Sequence, residues 1–452
     1  MAMSLGGFSG INTDQMIQQL MYIESAPIRR MEEEQSLLNN KIETWQKINS
    51  SVDTLKTKAT DIQDVFGEMT TSTSDESIVT ATVESDASSG TYDVTVDKLA
   101  KRHRIASTQQ ADSTTDLNLN GGAGGSFNIT VAQGEPSEAT ATISVSGDAT
   151  LNNVASAIND QGIDADGNQI VQASVVDNTL VIESAETGNI NSLSIDDTDG
   201  MLQELGVVDG SNNIQNTLQG AQDAQFDVNG ITDITRSSNT DIDDVVNGVS
   251  FNLKETGTAT IEVEQDNEAI KEKIQAFVDQ YNAVQSKINK YGDKEAILQG
   301  DAALTSLQSK LYESVVAPVD DTSLDKNTLS LIGISVGDNG KLSIDESELE
   351  DNLNNNLEQV KGIFNSETDG IIKRVEQQVD LATDMFDGYL SGKIDSLENQ
   401  VDYIDDDISN MERRLELKEE RLQQQFTRME TAISEMKNQQ SWLSSQVGSL
   451  GL

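Results

Sequence analysis

The sequence has no cysteine and a single histidine, His103, among 452 residues. Without Cys there are no disulfides, no thiolate metal sites and no Cys nucleophile, although this absence does not fix the compartment. A Ser-His-Asp site has only His103 to build on. That residue lies in the run Lys101-Arg102-His103-Arg104, where positive neighbours disfavour the imidazolium and no acid is adjacent in sequence. A solvated basic strand is therefore expected there rather than a catalytic group. Aromatic residues make up 4% and hydrophobic residues 36%, lean for a large globular enzyme and suited to an elongated protein with small cores. No apolar run approaches the ~18 residues of a membrane-spanning helix. The opening ten residues, MAMSLGGFSG, lack a basic n-region and an apolar h-region, so no Sec-type signal peptide is expected and any export uses another route. No phosphate-binding glycine motif is present.

Positive charge is also scarce. There are 30 Lys+Arg against 77 Asp+Glu, a formal charge of −47, and no Lys or Arg between residues 105 and 235. Such a chain repels nucleic-acid phosphate and anionic lipid, so neither nucleic-acid binding nor membrane insertion is expected. It repels copies of itself as well, and self-assembly must rest on apolar contacts or on salt that screens the charge. The carboxylates are so numerous that no pair of them is informative. The run Asp164-Ala-Asp166-Gly-Asn168 has part of a calcium-loop spacing, but Gly167 is misplaced and no Glu closes a twelve-residue loop, so a turn is the better reading.

A chain this long exceeds one hydrophobic core. Helical periodicity occupies both ends. Asn12 caps a first helix with Gln15 three residues on, and Pro27 suits the first turn of a second. Apolar residues then fall at Leu38, Ile42, Trp45, Ile48, Val52, Leu55, Ala59, Ile62 and Phe66. At the C-terminus, Leu390, Ile394, Leu397, Val401, Ile404, Ile408, Met411 and Leu415 alternate steps of four and three. The seam resumes at Phe426, Met429, Ile433, Met436, Gln440, Leu443, Val447 and Leu450 after a stutter through Lys418 and Leu422. A helix over this stretch is about 90 Å long at ~1.5 Å per residue and needs partner helices, from this chain or from neighbours. A third helical pattern runs from Ile270 to Tyr291, and a shorter one from Asp301 to about Val316. Residues 334–344 read as a hairpin turning at Asn339-Gly340, with Asp345 capping a following helix.

The middle is β-rich. Residues 78–83 and 92–96 alternate as one group of strands, and 226–230, 249–253 and 258–263 as a second. An insert from about 105 to 220 has strands of its own at 127–131, 140–145 and 180–182, and a short helix over 151–159. The expected class is α+β and multidomain, with long terminal coiled-coil helices, a further helical domain and two β-rich domains.

The segments 5–14 (LGGFSGINTD) and 24–27 (ESAP), with Leu20, and 90–100 (GTYDVTVDKLA) resemble the N-terminal part of the flagellar filament cap family, hook-associated protein 2. Its second conserved region is resembled by 221–231 (AQDAQFDVNGI), 236–239 (RSSN), 331–334 (LIGI), 340–342 (GKL) and Asp345. Residues 425–429 (QFTRM), Ile433 and 439–441 (QQS) resemble its C-terminal signature. Residues 148–159 and 180–184, with Thr187 and Gly188, are similar to an insertion motif of flagellins and hook proteins, which by itself does not separate cap from flagellin.

The resemblance implies a secreted structural protein at the flagellar tip, exported through the flagellar type III apparatus without a cleaved signal. It implies a homo-oligomeric ring, pentamer-like, with terminal helices as legs that leave openings where flagellin folds and inserts. Partners would be further copies, flagellin, the hook–filament junction proteins and an export chaperone at the C-terminal helix. No enzyme activity and no cofactor or metal are expected, and the rival role is an adhesin acting through the acidic head. The corresponding domains are a terminal leg (1–44 and 390–452), a helical domain (45–72 and 266–389), an inner β-rich head (73–104 and 221–265) and an outer head (105–220). The contact residues expected are seam positions: Leu38, Ile42, Trp45, Ile404, Ile408, Met411, Leu415, Phe426, Met429, Ile433, Met436 and Leu443.

Overall fold

A computed structural model describes residues 12–321 and 323–449. The opening ten residues and Leu450 lie outside the described residues. The chain divides into a helical unit, residues 1–66 with 267–452, and a β-rich unit, residues 67–266. The expected α+β class with long terminal helices is what the structure has.

The described residues open with α1 (Thr13–Glu24), where the Asn12 side chain accepts the Gln15 N–H at 3.1 Å as the sequence predicts. Pro27 lies in the first turn of α2 (Ala26–Val65), where its missing N–H removes no intrahelical bond. After α2 the chain enters the β-rich unit with β1 (Met69–Thr73), β2 (Val79–Val83) and β3 (Gly90–Lys98). Residues 67–72, grouped by sequence with the helices, thus belong to the β-rich unit, because Met69–Thr73 pairs antiparallel with residues 261–265.

The insert follows: β4 (Arg104–Ala106), β5 (Gly125–Val131), β6 (Ala139–Val145), α3 (Leu151–Gln161), β7 (Val171–Val176), β8 (Thr179–Ser184), β9 (Ser194–Asp196), the short α4 (Met201–Glu204) and β10 (Thr217–Gln219). The first strand group is completed by β11 (Ala224–Val228), β12 (Ile231–Arg236), β13 (Ile242–Val246), β14 (Val249–Leu253) and β15 (Gly257–Gln265). Sheets ordered β1-β15-β3-β11-β12 and β13-β14-β2 enclose one core, around Val94, Phe226, Phe251 and Ile261. Sheets ordered β10-β4-β8-β7 and β6-β5-β9 enclose a second with α3, around Phe127, Ile143, Leu151, Ile158 and Ile182. Period-two alternation puts Val, Ile, Phe and Ala on the inward faces and Thr mostly on the outward ones. The α3 helix starts on a capping box between Thr150 and Asn153.

Several carboxamides pair with backbone as a neighbouring strand would. On α3, Asn159 accepts the Ala173 N–H and donates to its carbonyl, both at 2.8 Å. Gln161 does the same to Ser144, at 3.0 and 3.1 Å. Ala173 and Ser144 lie on β7 and β6, edge strands of the two outer sheets. Asn239 treats Ala100 in this way at 2.7 and 2.9 Å.

The helical unit continues with α5 (Asn267–Gly292), α6 (Ala302–Val316), the hairpin β16 (Ile334–Val336) and β17 (Leu342–Ile344), α7 (Glu346–Asn355), α8 (Leu357–Asn365), α9 (Ile371–Thr383) and α10 (Tyr389–Ser449). Asp301 and Asp345 cap α6 and α7. The hairpin turns on Gly340, whose φ of +73° favours glycine. Trp45, Ile48, Val52, Leu55 and Ile62 on α2 interlock with Ile274, Phe277, Tyr281 and Ile288 on α5 and with Val375 and Val379 on α9, all essentially inaccessible to water. Arg374 on α9 donates to the carbonyls of Ala317 (2.7 Å) and Pro318 (2.6 Å), just past the end of α6, and to the carboxylate of Asp369. Its guanidinium holds the Asp369 carboxyl below the usual range.

Candidate assembly surface

The predicted C-terminal rod is one uninterrupted helix, α10, of 61 residues. The stutter does not break it. Two helices of the same chain lie along it in the opposite direction. Gln35 of α2 reaches Asp405 at 3.3 Å, Glu24 at the end of α1 pairs with Lys418 at 2.7 Å, and Thr13 at the start of α1 donates to Glu430 at 2.9 Å. Thr13 is itself buried. The α1 helix turns into α2 around Arg29, which donates to the Tyr22 carbonyl and the Ser25 hydroxyl and lies over the Tyr22 ring at 4.2 Å.

The twelve seam residues therefore fall into three environments. Leu38, Ile42 and Trp45 are buried in the core of their own chain, as is Ile408, and Ile404 packs against that core partly covered. Met411 and Leu415, then Phe426 and Ile433, are half-buried. Met429, Met436 and Leu443 are exposed, at 37%, 61% and 55%. Trp442 and Val447 are also open to solvent. Among the described residues the seam is covered where α2 and α1 run beside it, partly covered as far as Ile433, and exposed from Met436 on.

Other apolar groups, not singled out by seam spacing, are also exposed. Met16, Leu20, Tyr22 and Ile23 face solvent on α1. Met385 and Phe386 stand out on the turn before α10, Phe386 at 91% exposure. Asp384 builds that turn by accepting the N–H groups of Phe386 (2.8 Å) and Asp387 (2.9 Å), which keeps its own pKa low. The only sequence signal for it is an apolar pair set between aspartates and followed by Gly388.

Two residues weighed for chemistry have structural settings. Asp164 spends its carboxylate on its own loop, accepting the N–H groups of Asp166 and Asn168 and the Asn168 amide, so it closes a turn. His103 is not on a solvated strand: it is half-buried, and Arg102 and Arg104 beside it both reach Glu183. No helix among the described residues is long and apolar enough to cross a membrane.

The sequence matches the model of the flagellar hook-associated protein 2 N-terminus over residues 9–103 and that of its C-terminus over residues 221–438. The A-type flagellar hook-associated protein 2 of Pseudomonas aeruginosa is 29% identical over 449 residues, covering 90% of this chain and 89% of its own. The chain belongs to the flagellar hook-associated protein 2 family. The hook-associated protein 2 of Xenorhabdus nematophila is 26% identical, covering 91% of this chain and 94% of its own. The fold is shared with the D1-D2-D3 domains of the Escherichia coli flagellar cap protein FliD, with a TM-score of 0.60, 23% identity, and coverage of 78% of this chain and 99% of that one. The two hook-associated protein 2 matches stop at 103 and resume at 221, so they flank the second β core. This is a family of structural proteins rather than enzymes, and the resemblance read from the sequence is borne out.

Proposed function

We propose that this protein caps the distal end of the flagellar filament as a homo-oligomeric plate, with its terminal helices as legs, promoting flagellin folding and insertion and holding back loss of flagellin. The observation that carries the reading is the bare stretch of α10. After the Thr13–Glu430 contact the helix continues to Ser449 with Met436, Trp442, Leu443 and Val447 in solvent. A helix whose apolar stripe is left exposed among the described residues is completed by another chain. The contact residues are then Phe426, Met429, Ile433, Met436 and Leu443, whereas Leu38, Ile42 and Trp45 act indirectly, by fixing the helices that present the stripe.

The partners of the stripe are further copies and flagellin, with the hook–filament junction proteins met at the start of filament growth and an export chaperone holding the C-terminal segment beforehand. The chain leaves the cell through the flagellar export apparatus and works at the flagellar tip. The leg bounds read from the sequence, near residues 44 and 390, are kept in this proposal, while residues 67–72 pass to the inner head.

Ile433→Asp tests the reading. It puts a charge into the stripe, which costs several kcal/mol if assembly desolvates the site. Short or absent filaments and free flagellin in the medium are expected, with the β-rich unit still folded. Asn438→Asp, exposed on the opposite side of α10, should be nearly silent. Normal filaments with Ile433→Asp would remove the stripe from the mechanism, and equal failure of both variants would shift the role of this segment to export.

A further inference from the structure

The outer β core is joined to the inner one by two crossing segments, residues 99–103 and 220–223, and the only histidine in the chain lies on the first. The crossing is densely bonded. Lys101 and Gln222 exchange backbone bonds at 2.7 and 3.2 Å, and Gln219 donates to the Arg102 carbonyl at 2.9 Å. His103 and Ser184 are tied twice, the His103 N–H donating to the Ser184 hydroxyl at 3.0 Å and the Ser184 N–H to the His103 carbonyl at 2.9 Å. The segment 188–193 closes over this strand. The Gly188 N–H donates to the Lys101 carbonyl, and its φ of +101° lets the backbone pass Ser237 where a Cβ would sit 2.5 Å from the serine Cβ. Asn189 is held by the Asp223 carboxylate at 2.7 and 2.9 Å. At the far end of the segment the Leu193 N–H donates to Nδ1 of His103 at 2.8 Å.

That last bond has a proton requirement. Nδ1 accepts only when it carries no proton, so the imidazole must be the neutral tautomer with its hydrogen on Nε2. A proton on Nδ1 would set two N–H groups against each other. The charged groups nearby do not favour it. Lys101, Arg102 and Arg104 on the same strand are cationic, Glu183 on β8 is engaged by both arginines, Asp223 on the returning segment is engaged by Asn189, and residues 189–193 carry no ionisable side chain.

We propose that His103 is a pH-sensitive latch at this crossing: neutral, it clamps residues 188–193 across the strand that joins the two head cores, and protonated, it releases them and loosens the outer core from the inner. Burial agrees, holding the His103 pKa below its ordinary value. The sign follows. A folded pKa below the unfolded one means that the unfolded or released state binds the extra proton. The latch is therefore fully present above the ordinary value near 6.5 and is lost as pH falls through the folded pKa.

A chain with one histidine permits a direct test on the whole protein. Imidazole nitrogen NMR of the full chain should show the Nε2–H tautomer at pH 7.5 and a titration below 6.5. Exchange of the Leu193 amide, corrected for the intrinsic rate, should speed up on going from pH 7 to pH 5, by up to about tenfold per unit of pKa difference. In His103→Asn, whose side-chain oxygen can accept the same bond without titrating, that acceleration should be absent. A titration at or above 6.5, or Leu193 protection unchanged over the range in the native protein, would overturn the proposal. So would an equal acceleration in His103→Asn. Should that variant not fold, the native titration and exchange decide alone.

Discussion

The two halves of α10 carry the same spacing of apolar residues and meet opposite fates. In the first half Leu390, Leu397 and Ile408 are buried against helices of the same chain. In the second, Met436, Leu443 and Val447 stand in water. Periodicity thus tells which face of a helix seeks cover, not who provides it. The border between the halves is set by where α1 begins alongside, at Thr13 opposite Glu430.

Truncating one residue from each environment separates the two halves. Trp45→Ala should destabilise the helical unit by about 3–5 kcal/mol, read from denaturant unfolding followed by helix content. Leu443→Ala, measured where the chain is monomeric, should cost less than about 0.5 kcal/mol and yet weaken self-association. If Leu443→Ala unfolded the monomer as Trp45→Ala does, the second half would be covered by its own chain after all.

The covered half also depends on α9, held by Arg374. Arg374→Ala leaves Asp369 with only the Asp320 N–H and removes the donors to two backbone carbonyls, and should cost about 3 kcal/mol. Its pH signature has a definite sign. Asp369 has a depressed folded pKa, so its contribution is complete above the ordinary value near 3.9 and disappears as pH falls through the folded value. The stability of the native protein should therefore fall more steeply with pH in that range than the stability of Asp369→Asn.

Smaller effects are expected at the border. Thr13→Val deletes the last tie to α10 among the described residues and should cost about 0.5–1.5 kcal/mol, with faster amide exchange near residue 430. Glu24→Gln removes an ion pair that is over two-fifths exposed on both sides, Lys418 at 41% and Glu24 at 43%. It should cost under about 1 kcal/mol, and nothing measurable in high salt, where a calorimetric melt would show the two proteins converging.

Much of this fold is legible in the residues. The caps Asn12 and Asp345, the Pro27 start, the helix start at Asp301, the α10 rod and the strands around Val94, Phe127, Phe226, Phe251 and Ile261 follow from spacing and capping chemistry. The α9 helix does not stand out. It carries Ile371, Ile372, Val375 and Val379 on one face but begins after Gly370 with no capping side chain. Strands β12 and β13 are hidden because Thr232, Asp233, Asp243 and Asp244 are exposed and the alternation is diluted by acids. Burial of Leu38, Ile42 and Trp45 within the chain is not readable from a heptad-like seam, since the same pattern serves an internal bundle and a contact between molecules. His103 misleads for a related reason: the basic run suggests solvent, whereas the fold supplies Glu183 from a strand 80 residues away.

The carboxamide pairs at Ala173 and Ser144 have a consequence for solubility. An unpaired strand edge is a template on which another extended chain can polymerise, and proteins commonly blunt such edges with lysine. That device is missing here, because residues 105–235 contain no Lys or Arg. Asn159 and Gln161 supply an uncharged substitute that occupies both the donor and the acceptor of the edge residue. A lysine gatekeeper works by charge and fades in salt. A carboxamide neither titrates nor is screened, so these two positions stay closed to strand addition in any medium in which α3 remains folded.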